Sequence, residues 1–153
     1  MKTSRKFLVL STAPTMLLAL VLGYHPLYFL PLALGTLLPD IDSIDRRFHR
    51  SWCFHTFLPP AILFQLALVL GIEHVAVYTS IHFLTIGMLF HFLFDYVYPK
   101  TQRHPGAEWP VRPSVWSAPW GLMWFGLSWF AQWFLYLSVA FIPWVVGVPV
   151  EYA

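Results

Sequence analysis

Two stretches of this chain concentrate the residue types that bind metal ions. The first, residues 38–56, reads LPDIDSIDRRFHRSWCFHT and carries three carboxylates, three arginines and two histidines. The second, HFLFD, places His91 and Asp95 four residues apart in an apolar run. Carboxylate and imidazole ligands together suit Zn, Mn or Fe better than an oxygen-only Mg site. The two stretches therefore indicate a divalent-metal site.

The His91 and Asp95 pair is expected on one face of a helix, because residues four apart are neighbours there. A carboxylate in a membrane-embedded helix is costly unless it is paired, hydrated or bound to a metal. A structural His–Asp hydrogen bond, or an ion pair of Asp95 with Arg46 or Arg112, would also satisfy it. On this pair alone the metal and structural interpretations are equally supported.

Asp40 and Asp42 favour the metal interpretation. They lie at i and i+2 directly after an apolar segment, where two carboxylates can converge on a divalent cation. Asp45, in contrast, suits a solvated surface ion pair. His49 and His55 follow at the start of the next apolar segment, where a lone histidine would usually be an interfacial residue. Their position beside two aspartates makes a ligand role the better interpretation.

The elements that must position these residues are apolar. The chain has 153 residues, of which 58% are hydrophobic and 10% charged, and its mean hydropathy is +0.64. Soluble domains have about 25% charged residues, so we expect a single all-α domain embedded in a membrane. The lone Cys53 excludes an internal disulfide. The net charge of +2 gives no sign of nucleic-acid binding, and none is expected.

Five apolar segments are predicted to form a bundle of about five transmembrane helices. They are, approximately, residues 7–23, 27–38, 56–70, 75–98 and the Trp-rich segment 119–142. The first is interpreted as a signal anchor, with a cleaved signal peptide as the alternative. Thr56 is expected to cap the third helix, whose first turn tolerates Pro59 and Pro60, and Pro143 is expected to stop the last helix.

Charge distribution predicts the orientation of this bundle. If five spans alternate from a cytoplasmic N-terminus, all nine Lys and Arg residues fall on the cytoplasmic side, as the positive-inside rule describes. The same alternation places both metal-binding stretches at the cytoplasmic face of the cell (inner) membrane. His82 lies nine residues before His91, about 900° around a helix, so it is expected to point away and make a packing or polar contact.

The order of these motifs resembles the family of inner-membrane metal-dependent hydrolases, some of whose members are described as LexA-binding. The resemblance covers about residues 30–113, with LPDID at 38–42, HRSWCFHT at 49–56, GMLFHFLFD at 87–95 and PGAEWPVRP at 105–113. The family is itself distantly similar to all-helical zinc-dependent phospholipase C and nuclease-type enzymes. The resemblance therefore implies metal-dependent phosphoester hydrolysis, in which the metal would lower the pKa of a bound water.

The leading hypothesis is a membrane-bound hydrolase that acts on a phospholipid or lipid-linked phosphate at the cytoplasmic interface. Its expected metal ligands, for Zn or else Mn or Fe, are Asp40, Asp42, His55, His91 and Asp95. His49 would be a further ligand or the acid–base group. Arg50 would stabilise the charge on the phosphate, although arginines here also suit anionic lipid headgroups.

Two other function classes stay open. The family carries an N-terminal histidine, whereas residues 1–23 contain none, and the two histidines of its HR motif are five apart, whereas His49 and His55 are six apart. These differences favour a non-catalytic membrane protein that binds an anionic lipid or a protein partner. A proton or metal-ion transporter would also place His and Asp within the membrane, but here they cluster at one interface. The sequence does not predict the oligomeric state.

Overall fold

The structure is a computed structural model that describes residues 2–44, 52–97 and 118–150, with side chains for 12–41, 52–93 and 123–150. All regular structure in these ranges is helical, which confirms the all-α expectation for them. The α-helices are α1 (Lys2–Val21), α2 (Phe29–Leu37), α3 (Leu58–Val69), α4 (Val75–Val97), α5 (Ala118–Gln132) and α6 (Ile142–Val145). Two 3₁₀ segments, Pro26–Tyr28 and Leu38–Ile44, flank α2. A π-helical segment, Trp133–Phe141, joins α5 to α6, and these three together are called the C-terminal helix below.

Two helical stretches of the described chain are long and apolar enough to cross a membrane. They are Val75–Leu93 and Met123–Val145, each with a mean hydropathy of 1.5. Shorter apolar stretches occupy Thr12–Val21, Pro26–Ile41 and Leu58–Val69. Large apolar side chains are exposed on several helices, including Val21 at 83% and Val69 at 81%. Because a soluble protein rarely exposes so extensive an apolar surface, these features favour association with a membrane.

The backbones of α2 and α4 approach each other closely where these two helices cross. A Cβ atom added to Gly35 would overlap the carbonyl oxygen of Leu84, and one added to Gly87 would overlap the carbonyl oxygen of Leu32. Helices in membranes approach this closely where small residues occupy the contact. The crossing brings the end of α2, and the LPDID segment after it, against the half of α4 that carries His91.

The main core lies between α3, α4 and the C-terminal helix. Phe64 of α3 packs edge-on against Tyr78 of α4, with ring centroids 5.6 Å apart, and lies 5.2 Å from the ring of Tyr136. A smaller cluster joins α1 and α2 to α4 through Met16, Ala19, Leu32 and Phe83. Helices α1 and α2 therefore pack on one side of α4 and the C-terminal helix packs on another.

One prediction about the helix ends is confirmed and one is wrong. The Thr56 hydroxyl accepts the N–H of Leu58 at 3.3 Å and so caps the start of α3, although Phe57 is the residue directly before the helix. Pro143 does not stop the last helix, which continues to Val145. Pro143 is the second residue of α6 and follows directly on the π-helical segment. The helix closes at Gly147, where φ is +75°.

Candidate functional site

His91 lies near the end of α4, against the end of α2. Its Nδ1 atom is 3.0 Å from the backbone carbonyl oxygen of Thr36. A carbonyl oxygen only accepts, so we assign the ring hydrogen to Nδ1 as donor. In the neutral ring, Nε2 then carries the lone pair that accepts a hydrogen bond or binds a metal. Metal-ligating histidines in proteins are commonly oriented by such a bond to a backbone carbonyl.

The sequence around Thr36 explains why its carbonyl can accept this bond. Thr36 lies in the last turn of α2, where the carbonyls of an α-helix lack intrahelical partners. The chain continues as a 3₁₀ segment, in which the natural partner would be the residue three positions on. That residue is Pro39, which has no N–H. Because Pro39 of the LPDID motif cannot donate a hydrogen bond, the carbonyl oxygen of Thr36 is available to accept one from His91.

His55 meets His91 edge to face. The ring centroids are 5.3 Å apart and the ring planes lie at 82°. His55 is only 3% exposed, and its Nδ1 atom is buried. The ring of Phe92 packs against both imidazoles, with centroids 5.2 Å from His55 and 6.0 Å from His91. The structure thus brings together two of the predicted ligands, from separate segments, in an apolar setting.

The loop that carries His55 is bound to the C-terminal helix. The amide oxygen Oε1 of Gln132 accepts the backbone N–H of Phe57 at 2.6 Å. One turn earlier, the hydroxyl of Ser128 lies 3.4 Å from the hydroxyl of Thr56. The two residues that follow His55 therefore contact the C-terminal helix while His55 itself contacts α4. These bonds connect the backbone after His55 to the C-terminal helix.

Aromatic stacking adds to the same contact. The indole of Trp52 stacks on that of Trp124, with centroids 5.8 Å apart and planes at 14°. Sequence reasoning did not identify Trp124, Ser128 or Gln132 as parts of the site. The available signal was their spacing of four residues, which places them on one helix face, and the presence of an amide in a segment without charges.

The carboxylates of the predicted site are less completely described. Asp40 is half-buried in the 3₁₀ segment after α2. Asp42 and Asp95 lie on described helices, but their side chains are outside the described residues, and His49 and Arg50 lie outside them entirely. Within side-chain ranges 12–41, 52–93 and 123–150, no group of three or more His, Cys, Asp or Glu residues could hold a metal. The donor type of the histidine pair nevertheless fits a Zn-type ion.

His82 lies deeper in α4 and makes a different set of contacts. It is 0% exposed, and its Nδ1 atom is 3.0 Å from the hydroxyl of Tyr136. That hydroxyl is also 2.6 Å from the hydroxyl of Thr85. The imidazole stacks on the indole of Trp144, with centroids 4.7 Å apart. These contacts confirm the expectation that His82 has a packing and polar role.

Comparisons with known proteins add no further assignment. No protein-family model matches this chain, and no curated protein or solved structure matches it. The family resemblance therefore stays a prediction. The function must be argued from the residues and their geometry.

Proposed function

We propose that this protein is a multi-pass membrane protein that hydrolyses a phosphoester with a divalent metal bound at the His55 and His91 pair. The observation that carries the proposal is the meeting of these two rings, 5.3 Å apart, with His91 oriented by the carbonyl of Thr36. The backbone acceptor selects the tautomer that leaves Nε2 of His91 as the ligand, as is common for metal-ligating histidines.

The three predicted carboxylates would complete the coordination. Asp95 is one turn beyond His91 on α4 and so lies on the same face, while Asp40 and Asp42 follow α2, whose last turn contacts His91. Imidazole and carboxylate donors together suit Zn, Mn or Fe. Such a metal would act as a Lewis acid on the phosphoryl oxygen and would lower the pKa of a bound water.

The chain's own groups would position the substrate and move protons. The bond to Thr36 holds the His91 ring in one orientation, and Phe92 covers both imidazoles on one side. His49 would transfer a proton, and Arg50 would hold the negative charge of the phosphate, since guanidinium groups bind phosphate oxygens in a fixed geometry. Both residues follow directly on the segment that carries Asp40 and Asp42.

The described contacts support a membrane-interface location. The end of α2, the loop before α3, the end of α4 and the first half of the C-terminal helix all meet at one end of the bundle. Helices that cross a membrane in alternate directions meet in this way. With five alternating spans and a cytoplasmic N-terminus, all nine Lys and Arg residues would fall on that side. A phospholipid or lipid-linked phosphate at headgroup depth is therefore the proposed substrate class.

The proposed topology has five crossings and a cytoplasmic N-terminus. Reporter domains fused at Ala153 and inserted in the 100–112 loop test this topology. Five crossings from a cytoplasmic N-terminus put the loop in the cytoplasm and Ala153 on the opposite side of the membrane. Reporters that report the same side for both positions would contradict five crossings.

Elemental analysis of the protein purified in detergent tests the metal site. We expect near-stoichiometric metal in the parent, and strongly reduced metal in His91→Ala and Asp40→Ala. His74→Ala is the matched control, since His74 is an exposed turn residue whose Nδ1 accepts the N–H of Ala76. A parent without metal, or variants with parental metal content, would rule out this site.

Turnover distinguishes the hydrolase from the non-catalytic alternative. The purified protein should release phosphate or a phosphorylated headgroup from at least one member of a panel of phosphomonoesters, phosphodiesters and phospholipids. The same panel is run on His91→Ala, which should be inactive. Stoichiometric metal with no turnover on the panel would favour a membrane protein that binds an anionic lipid or a protein partner through the same polar cluster.

A further inference from the structure

The side-chain amide of Gln132 is buried and only half bonded. Gln132 is 0% exposed, and its Oε1 atom accepts the N–H of Phe57 at 2.6 Å. Its Nε2 atom is buried and has no hydrogen-bond partner among the described residues. Exchanging the two amide atoms would set an N–H donor against the N–H of Phe57, so the bond to Phe57 fixes the orientation. Within the described ranges a buried amide N–H is therefore left without an acceptor, at a cost in free energy.

This amide lies beside the histidine pair. The residue it binds, Phe57, is two positions after His55, and the Phe57 ring packs on Phe92 with centroids 5.2 Å apart. Phe92 in turn contacts the imidazoles of His55 and His91. Gln132 is thus bonded to the segment whose rings pack on the histidine pair.

A second glutamine in the same protein shows how an amide behaves when it only joins helices. Gln65 on α3 uses its Nε2 atom as a donor to the backbone carbonyl of Leu135. That bond connects α3 to the C-terminal helix and needs no further partner. The two residues have the same chemistry and contact the same helix pair, but the donor of Gln132 is not used in this way.

We propose that Gln132 is a substrate-binding residue whose Nε2 donates a hydrogen bond to an anionic oxygen of the phosphoester. The identity of the ligand rests on the proposed function. An N–H that donates to a charged oxygen makes a stronger bond than one to a neutral acceptor. A neutral amide also costs less to bury than an arginine would at this apolar position.

Equilibrium dialysis of radiolabelled inorganic phosphate against the full-length protein, in a detergent without phosphate, tests this assignment. Gln132→Met removes both the acceptor and the donor, whereas Gln132→Glu keeps the acceptor for the Phe57 N–H and removes the amide donor. We expect both to weaken phosphate binding by about tenfold or more, with parental metal content. Gln65→Met is the matched control and should bind phosphate as the parent does.

The outcomes separate this inference from the proposed function. Parental phosphate affinity in Gln132→Met, with metal retained, overturns the inference and leaves the metal site standing. Loss of metal and phosphate in Gln132→Met but of neither in Gln132→Glu also overturns it, because Gln132 then only positions the His55 loop. A parent without metal contradicts the proposed function, and a Gln132-dependent phosphate affinity in that parent still supports the inference. A parent that binds no phosphate overturns it.

Discussion

His82 and His91 lie on the same helix and differ in what their Nδ1 atoms contact. His82 is fully buried, bonds the hydroxyl of Tyr136 and stacks on Trp144. His91 is half-buried, bonds a backbone carbonyl and faces a second imidazole. Both Nδ1 atoms carry the ring hydrogen, so the tautomer does not separate the two residues. Their neighbours do: His91 lies beside a second imidazole, whereas His82 lies between a hydroxyl and an indole.

The contacts of His82 form a directed chain of hydrogen bonds. The hydroxyl of Thr85 donates to the carbonyl of Ile81 at 2.8 Å, so it accepts from the hydroxyl of Tyr136, 2.6 Å away. The Tyr136 oxygen then accepts from Nδ1–H of His82 at 3.0 Å. Each hydrogen in this chain has an acceptor, and the chain joins α4 to the C-terminal helix. His82 is therefore a structural residue.

The first prediction concerns Gly87, which lies on α4 between His82 and His91. Gly87→Ala places a methyl group on the carbonyl of Leu32 and should lower the free energy of unfolding by about 3 kcal/mol or more, because a backbone cannot move aside as a side chain can. The separation of α2 from α4 should also break the bond from His91 to Thr36, so metal content should fall. Unfolding by denaturant, followed by tryptophan fluorescence, and elemental analysis measure the two effects.

Gly126→Ala is the control for that substitution. A Cβ atom at Gly126 meets nothing within 4 Å, so alanine should be neutral or should stabilise the helix by up to about 1 kcal/mol. Equal destabilisation by the two alanines would show that the crossing of α2 and α4 is not the cause.

The second prediction concerns His82. His82→Ala should lower the free energy of unfolding by about 2–4 kcal/mol, because it leaves a cavity beside Trp144 and removes a partner of Tyr136. The folded fraction should keep its full metal content, unlike His91→Ala. Loss of metal from folded His82→Ala protein would contradict the separation of the two histidines into structural and functional roles.

The third prediction isolates the hydroxyl of Tyr136. Tyr136→Phe removes the central group of the chain and should cost about 1–3 kcal/mol, because Thr85 and His82 then share no hydroxyl partner. Combined with His82→Phe, the losses should be less than additive by about 1 kcal/mol, as expected for residues that contact each other. Additive losses in this double-mutant cycle would show that the two side chains do not interact.

The smallest expected effect is at the stacked indoles of Trp52 and Trp124. Trp124→Ala removes the stacking on Trp52 and should cost about 0.5–1.5 kcal/mol beyond the loss of buried area. Metal content should not change, since neither indole is a ligand. Metal loss in Trp124→Ala with Trp124→Phe unaffected would mean that this stack positions His55.

Much of the helical architecture could be predicted. Long apolar runs must satisfy their backbone groups internally, so they form helices whether they cross a membrane or fill a core. The positions of glycine and proline then predict most of the helix ends to within a few residues of those in the structure. The helix end predicted at Pro143 is wrong because the chain before it is wound as a π-helix, and this winding has no simple sequence signal.

The C-terminal helix shows why the winding matters. Buried residues recur there at every fourth position, at Ser128, Gln132, Tyr136 and Ala140. In an α-helix of 3.6 residues per turn this spacing drifts around the axis. The looser π winding, marked by the backbone bond from the N–H of Ile142 to the carbonyl of Leu137, offsets the drift. One face of the helix can therefore supply both the amide beside His55 and the hydroxyl beside His82.

Part of the candidate site was predictable and part was not. Residue types singled out His55 and His91, and the structure brings their rings together. Gln132 was missed because its partner is the backbone N–H of Phe57, which every residue except proline possesses. The roles of Asp42, Asp95, His49 and Arg50 stay predictions, since these side chains lie outside the described residues.

The helical class, the apolar character and the two stretches that concentrate metal-binding residue types follow from composition and local spacing. Folding alone brings α2 against α4 at Gly35 and Gly87, orients His91 through Thr36, and joins Gln132 to the His55 loop. The physical reason is that each of these contacts joins segments distant in the chain through backbone atoms. Backbone atoms are alike at nearly every position, so their partners are chosen by packing.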